Sequence, residues 1–224
     1  MVSESQLGIT FDASAWLTNY GHFAWGPNIL VLHSLECDAI RGIARSLSEQ
    51  GGWLDTENLA PQRMTAPSDL VRTMPDGDQG GHIGGPGNSH CGGTEVSGRA
   101  AWTPEQWATP LAREALDMQA RAIAGLAVAY GWGYADLRYL SQAQIIAGDV
   151  RGICDHNAIS LSGISATNHW DVGLGYPWVW VMERIQYWFQ TITGGTPPTP
   201  PVVAQVYEQS YMEWLMSWSG TVPV

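Results

Sequence analysis

The sequence predicts a mixed α/β domain, and three observations carry that expectation. Short apolar runs of strand length, Ile29 to Leu32 and the one ending at Ile153 and Cys154, alternate along the chain with segments whose apolar residues recur at helical spacing. Of 224 residues, 45% are apolar, enough for one sizeable core. Metal-capable side chains stand at the ends of those runs and in the loops beyond them, where rigid elements usually carry sites.

Residues 1–27 read as a lead-in packed on the core. The opening MVSESQLG has neither a basic n-region nor an apolar h-region, so no Sec-type signal peptide is expected. Residues 8 to 27 are irregular and aromatic, and Trp16, Tyr20, Phe23 and Trp25 are expected to cover the core. The main domain is assigned to 28–191. Its first strand, Ile29 to Leu32, ends on His33. Asp38 is then expected to cap a helix with Ile40, Ile43 and Leu47 inward and Arg41, Arg45 and Glu49 outward, stopped by Gly51-Gly52. Glu36 has two readings: a carboxylate near a site at His33, or charge at a helix start.

Residues 53 to 90 read as loop-rich, with a short strand at Leu70 to Met74. PDGDQGGHIGGPGNSH follows with six glycines and few apolar groups, a cleft wall, mobile flap or solvated loop. Thr103, Pro104 and Gln106 supply an N-cap, an N1 proline and a capping-box partner. Thr109-Pro110 restarts the helix, and Leu111, Ala115, Met118, Ala122, Leu126 and Ala129 predict one apolar face up to Gly131. Further short helix is expected over Asp136 to Ala147, with Gly148-Asp149 turning into the stretch Arg151 to Trp180.

That stretch holds His156, His169 and Asp171 on what reads as one connection between a strand and a helix begun by Pro177. A catalytic zinc takes about three protein ligands and keeps a position open for water. Two can come from here and a third from His33, held by its strand. Cys154 is either a further ligand or a packed core thiol. The three cysteines share no CxxC spacing and read as reduced thiols.

Residues 192–201, a Gly/Thr/Pro linker, precede 202–224, an aromatic helical tail with Tyr207, Tyr211, Trp214 and Trp218 at helical spacing. Docking on the domain, self-association through 203–218 and a wall-binding remnant are the readings open to it. The net charge of −11 argues against nucleic acid or an anionic membrane as a partner, since phosphate backbones demand clustered cations. No run is long enough to span a bilayer.

Taken together, His33, the GGTEVSG strand with Glu95, CDHNAIS with His156 and HWDVGLGYPW with Asp171 resemble, from Asn28 to Phe189, the zinc-dependent N-acetylmuramoyl-L-alanine amidases of type 2. Peptidoglycan recognition proteins share that fold, and phage endolysins contain the form resembled here. The resemblance implies a mixed central sheet flanked by helices, and one Zn2+ per chain on His33, His156 and Asp171. It also implies Glu95 as the acid that activates water. His169 stands where members often carry Lys, and the chain has no Lys, so His169 takes the oxyanion role. His82, and Asn88 before the Glu95 strand, would line the substrate groove. The implied partner is bacterial peptidoglycan, with synthesis in a host cytoplasm and action at the wall after release. An inactive peptidoglycan-binding protein of the same fold and a virion assembly component are the alternatives.

Overall fold

The computed structural model describes residues 8–17, 21–24, 26–57, 59–165 and 167–197. In chain order its elements are β1 (Phe11–Asp12), β2 (Ile29–Ser34), α1 (Ile43–Ser48), α2 (Trp53–Glu57), β3 (Arg63–Ala66), β4 (Asp69–Arg72), β5 (Cys91–Val96), α3 (Pro104–Trp107), α4 (Pro110–Ala129), α5 (Gln142–Ala147), β6 (Gly152–Asp155), α6 (His156–Ser162) and α7 (Trp178–Thr193), with 3-10 turns at Gly85–Ser89 and Tyr134–Asp136. Six strands form one sheet in the order β1-β4-β3-β5-β2-β6. Only β3 and β4 run antiparallel; the other neighbours are parallel. This is the mixed α/β architecture the sequence predicts.

β2 lies between β5 and β6 and is buried along all six residues, as a strand covered on both faces must be. Side chains alternate across a strand, so its odd and even positions face different layers. Leu30 and Leu32 pack with Leu116, Ile123 and Val181 of the α4/α7 layer. Ile29 and Val31 pack with Ile145 of α5 and Ala158 and Ile159 of α6. His33 continues the second series. A third cluster holds α1 and α2 against β3 and β4 through Ala44, Leu54, Met64 and Val71.

The predicted caps at Thr103 and Thr109 begin α3 and α4, and Thr103 and Gln106 form the reciprocal capping box. The buried stripe of α4 runs through Ala112, Ala115, Gln119, Ile123 and Leu126, so Leu111 faces outward. Other elements differ from the sequence reading. Asp38 caps nothing: α1 starts at Ile43 behind Gly42, while Asp38 pairs with Arg99. Ile40 is accordingly exposed, and Arg45 and Glu49 pair on the outside. The predicted strand at Leu70 to Met74 is β4, ending at Arg72, and β3, α2 and the edge strand β1 were not expected.

In the lead-in, Trp16 donates from Nε1 to the Ser48 carbonyl and packs on the third cluster, and Phe23 meets Tyr130 edge-on. Trp16 covers the core as expected; Tyr20 and Trp25 lie outside the described residues. Pro177 is the N-cap of α7, one place before the first turn. α7 runs through Ile192 and Thr193, so the linker cannot begin at 192; the tail 202–224 lies outside the described residues. No helix among the described residues is long and apolar enough to cross a membrane.

Candidate metal centre

Ligand sites in α/β sheets open at the carboxyl ends of parallel strands. β2, β5 and β6 present theirs side by side: His33 is the register partner of Glu95, and Leu32 that of Asp155, the residue before His156. Register partners on parallel strands point to the same face, which brings His33 and Glu95 together from positions 62 residues apart (95 − 33).

His156 is the first residue of α6 rather than part of an irregular connection. The turn from β6 into α6 is sealed by Asp155, whose carboxylate accepts from Ala158 N–H at 2.7 Å. Strand alternation therefore stops before His156, and the two-residue spacing does not place Cys154 beside it. Cys154 is fully buried with Ile29, Val31 and Cys91, where burial pushes its thiol well up, a packed core thiol and not a ligand.

Asp171 comes from the loop between α6 and α7, where the Asp171–Val172 peptide is cis. Its carboxylate reaches His33 Nδ1 at 3.4 Å and His156 Nδ1 at 3.5 Å, and accepts from Ser34 N–H at 3.2 Å. His33, His156 and Asp171 are buried, with donor atoms within 4.8 Å of one another. Atoms bound to one tetrahedral zinc at about 2.1 Å stand about 3.4 Å apart, so two imidazoles and a carboxylate so spaced fit zinc. Burial lowers His33 to about 4, so it is a neutral imidazole with a lone pair to offer near pH 7. Burial pushes the Asp171 carboxyl up, but the His156 and His33 rings beside it outweigh burial and hold it below the usual carboxylate range.

Glu95 Oε1 lies 3.9 Å from His33 Nδ1. Burial, with Asp171 and then Glu36 nearby, pushes its carboxyl well above the usual range, which suits a group that takes up and returns a proton. His169 stacks flat on His156 at 4.6 Å, with Nδ1 3.8 Å from Asp171, yet its side chain is 60% exposed. His82 Nδ1 lies 3.0 Å from His33 Nε2, and Asn88 Oδ1 accepts from the His82 and Ile83 N–H groups. A cavity of about 520 Å³ joins all seven residues and extends along Leu35, Trp53, Leu54 and Leu59.

Sequence reasoning missed part of the support. Gln119 of α4 is fully buried; its Nε2 donates to the His33 carbonyl and to Thr94 Oγ1, while its Oε1 accepts from Tyr176 OH at 2.6 Å. A glutamine on the apolar face of a helix was the available signal. Thr167 Oγ1 meets His156 Nε2 at 3.0 Å, and no local pattern announces that contact. Glu36, at φ 53, accepts from Ser34 Oγ and Ala100 N–H and lines the cavity; it starts no helix. Gln62 and Arg63 belong to the sheet's support: Gln62 accepts from Gly93 N–H, and Arg63 pairs with Asp76.

Neither a family profile nor a curated protein sequence matches the chain. Solved structures do. The Staphylococcus aureus hydrolase AmiA, solved with its ligand, matches with TM-score 0.60 at 16% identity over 85% of this chain and 87% of that one. AmpD matches with TM-score 0.54 at 12% identity over 84% and 98%. A mutant endolysin from Bacillus subtilis matches with TM-score 0.50 at 14% identity over 79% and 99%. The chain shares the fold of these proteins, a mixed sheet flanked by helices, as the sequence resemblance implied.

Proposed function

We propose that the chain is a zinc-dependent N-acetylmuramoyl-L-alanine amidase of type 2 that cleaves peptidoglycan between the lactyl group of N-acetylmuramic acid and the L-alanine of the stem peptide. One observation carries this reading: His33, His156, Asp171 and Glu95 converge at the carboxyl ends of β2, β5 and β6, on the wall of a cavity, in a fold shared with AmiA and AmpD.

His33, His156 and Asp171 would hold one Zn2+. Zinc bound there supplies a Lewis acid to the amide carbonyl and lowers the pKa of water toward neutrality. Glu95 accepts the proton that water loses as the C–O bond forms, and returns it to the nitrogen as the C–N bond breaks. His169, at the exposed rim beside Asp171, donates to the carbonyl oxygen as negative charge builds there. Ser34 N–H and Gln119 take no proton; they hold Asp171 and the end of β2 in place. The apolar wall of Leu35, Trp53, Leu54 and Leu59 suits the faces of a sugar ring and short alkyl side chains, and Asn88 lines the cavity near it. As in the endolysins resembled by sequence, the substrate would be bacterial cell wall and the outcome lysis.

Purified sacculi incubated with the protein and zinc test this. Release of free stem peptides beginning with L-alanine supports the reading. Zinc binding without release from several wall types would replace it with a peptidoglycan-binding role.

A further inference from the structure

His82 contacts the centre through His33, and both its ring nitrogens are engaged. We propose that His82 is a positioning residue for the metal centre: its Nδ1 accepts the hydrogen bond from His33 Nε2–H and thereby turns the Nδ1 lone pair of His33 toward Asp171 and His156. This rests on the metal reading given above.

Hydrogen-bond accounting fixes each proton. The Cys91 carbonyl can only accept, so His82 Nε2, 3.2 Å from it, carries a proton and donates. The His82 ring is buried and forms no ion pair among the described residues, so a second proton on it would be an uncompensated buried charge. Its Nδ1 is therefore bare. His33 Nε2, 3.0 Å away, must be the donor. A neutral imidazole protonated at Nε2 has its lone pair at Nδ1, the atom that faces the Asp171 carboxylate at 3.4 Å. With both nitrogens committed inward, His82 has no polar ring atom left for a substrate. His156 is held in the same sense, its Nε2 against Thr167 and its Nδ1 toward Asp171. Metal-ligating histidines are commonly oriented through the nitrogen that does not bind.

The surroundings are built around that ring. His82 lies over Gly93, where a Cβ would come within 2.6 Å of Cε1 and 2.8 Å of Nδ1. A glycine at this place in β5 is what lets the ring reach His33. Asn88 Oδ1 accepts from two successive N–H groups, His82 and Ile83, and fixes the backbone that carries the ring.

The test compares wild type with His82→Leu, His82→Asn and Gly93→Ala. Zinc affinity is read by competition with a chromophoric chelator, thermal unfolding of the metal-free proteins is followed alongside, and the His33 tautomer is read from nitrogen-15 NMR. His82→Leu should bind zinc about 10- to 100-fold more weakly, the usual cost of losing such a partner. His82→Asn, which keeps an acceptor oxygen where Nδ1 stood, should recover most of that loss. Gly93→Ala should weaken zinc while leaving every imidazole present. Metal-free wild type should show His33 protonated at Nε2. If His82→Leu does not fold, the His82→Asn and Gly93→Ala variants carry the comparison. Wild-type zinc affinity in His82→Leu, or a wild-type His33 protonated at Nδ1, overturns the proposal. A wild type that takes up no zinc overturns the metal reading and this role with it. The tautomer, read without metal, then records separately whether the hydrogen-bond chain exists.

Discussion

Asp155 sits between β6 and His156, and the Asp155→Asn substitution should make the metal-free protein more stable at neutral pH. The Asp155 carboxyl caps α6 through an oxygen that accepts from Ala158 N–H, and an asparagine side chain caps equally well. The gain comes from charge. Burial raises the Asp155 carboxyl from 3.8 to about 7; Asp171 adds to the rise and the Ala158 N–H opposes it. Below pH 3.8 the group is neutral in the folded and unfolded chain alike. Between 3.8 and about 7 the unfolded chain releases this proton while the folded one keeps it, so stability falls as pH rises. The fall is about 1.4 kcal/mol per pH unit and totals roughly 4 kcal/mol, a large share of the roughly 5–15 kcal/mol typical of a domain. The amide of the variant does not titrate. Urea unfolding of both proteins with a chelator present, from about pH 4 to about pH 8, should show the difference growing by roughly that total in favour of the variant. A difference that stays constant with pH would refute the argument that burial holds this carboxyl protonated.

Other consequences follow from the same geometry. Glu95→Gln should retain zinc and lower turnover about 10²- to 10⁴-fold, measured as metal content beside release of stem peptides. In the metal-free state that variant should also be more stable than wild type, increasingly so as pH rises, because the raised Glu95 carboxyl makes ionisation costly in the folded chain. His169→Ala should lower kcat by about 10² with zinc content unchanged, the scale of one lost oxyanion donor. Gln119→Leu leaves Tyr176 OH without its acceptor and removes the side-chain donor shared by the His33 carbonyl and Thr94, and should cost about 1–3 kcal/mol in urea unfolding.

What the sequence reveals depends on how local the cause is. The apolar run ending at His33 and the Thr103 and Thr109 caps are local features, and each stands where expected. β3 is opaque because it is only four residues long and its polar positions, Arg63 and Thr65, are buried and bonded to nearby carbonyls, so no hydrophobic run marks it. α1 begins behind a left-handed Gly42 with no side-chain cap, which left Asp38 as a false start. In the site, Glu95 was visible only through the family resemblance. Its register with His33 is a property of the sheet, and no spacing between residues 62 positions apart reports it (95 − 33). Gln119 and His82 act through contacts across 86 and 49 positions, where a sequence shows residue types but not partners.

The central claim is that His33, His156 and Asp171 hold the ion on which amide cleavage depends. Zinc titrated into metal-free protein, with release of L-alanine-terminated stem peptides from sacculi followed at each addition, tests it most directly. Activity should rise linearly and stop at one zinc per chain, and His156→Ala should neither bind zinc tightly nor gain activity. Full activity in chelator-treated protein, or undiminished zinc binding by His156→Ala, would contradict it.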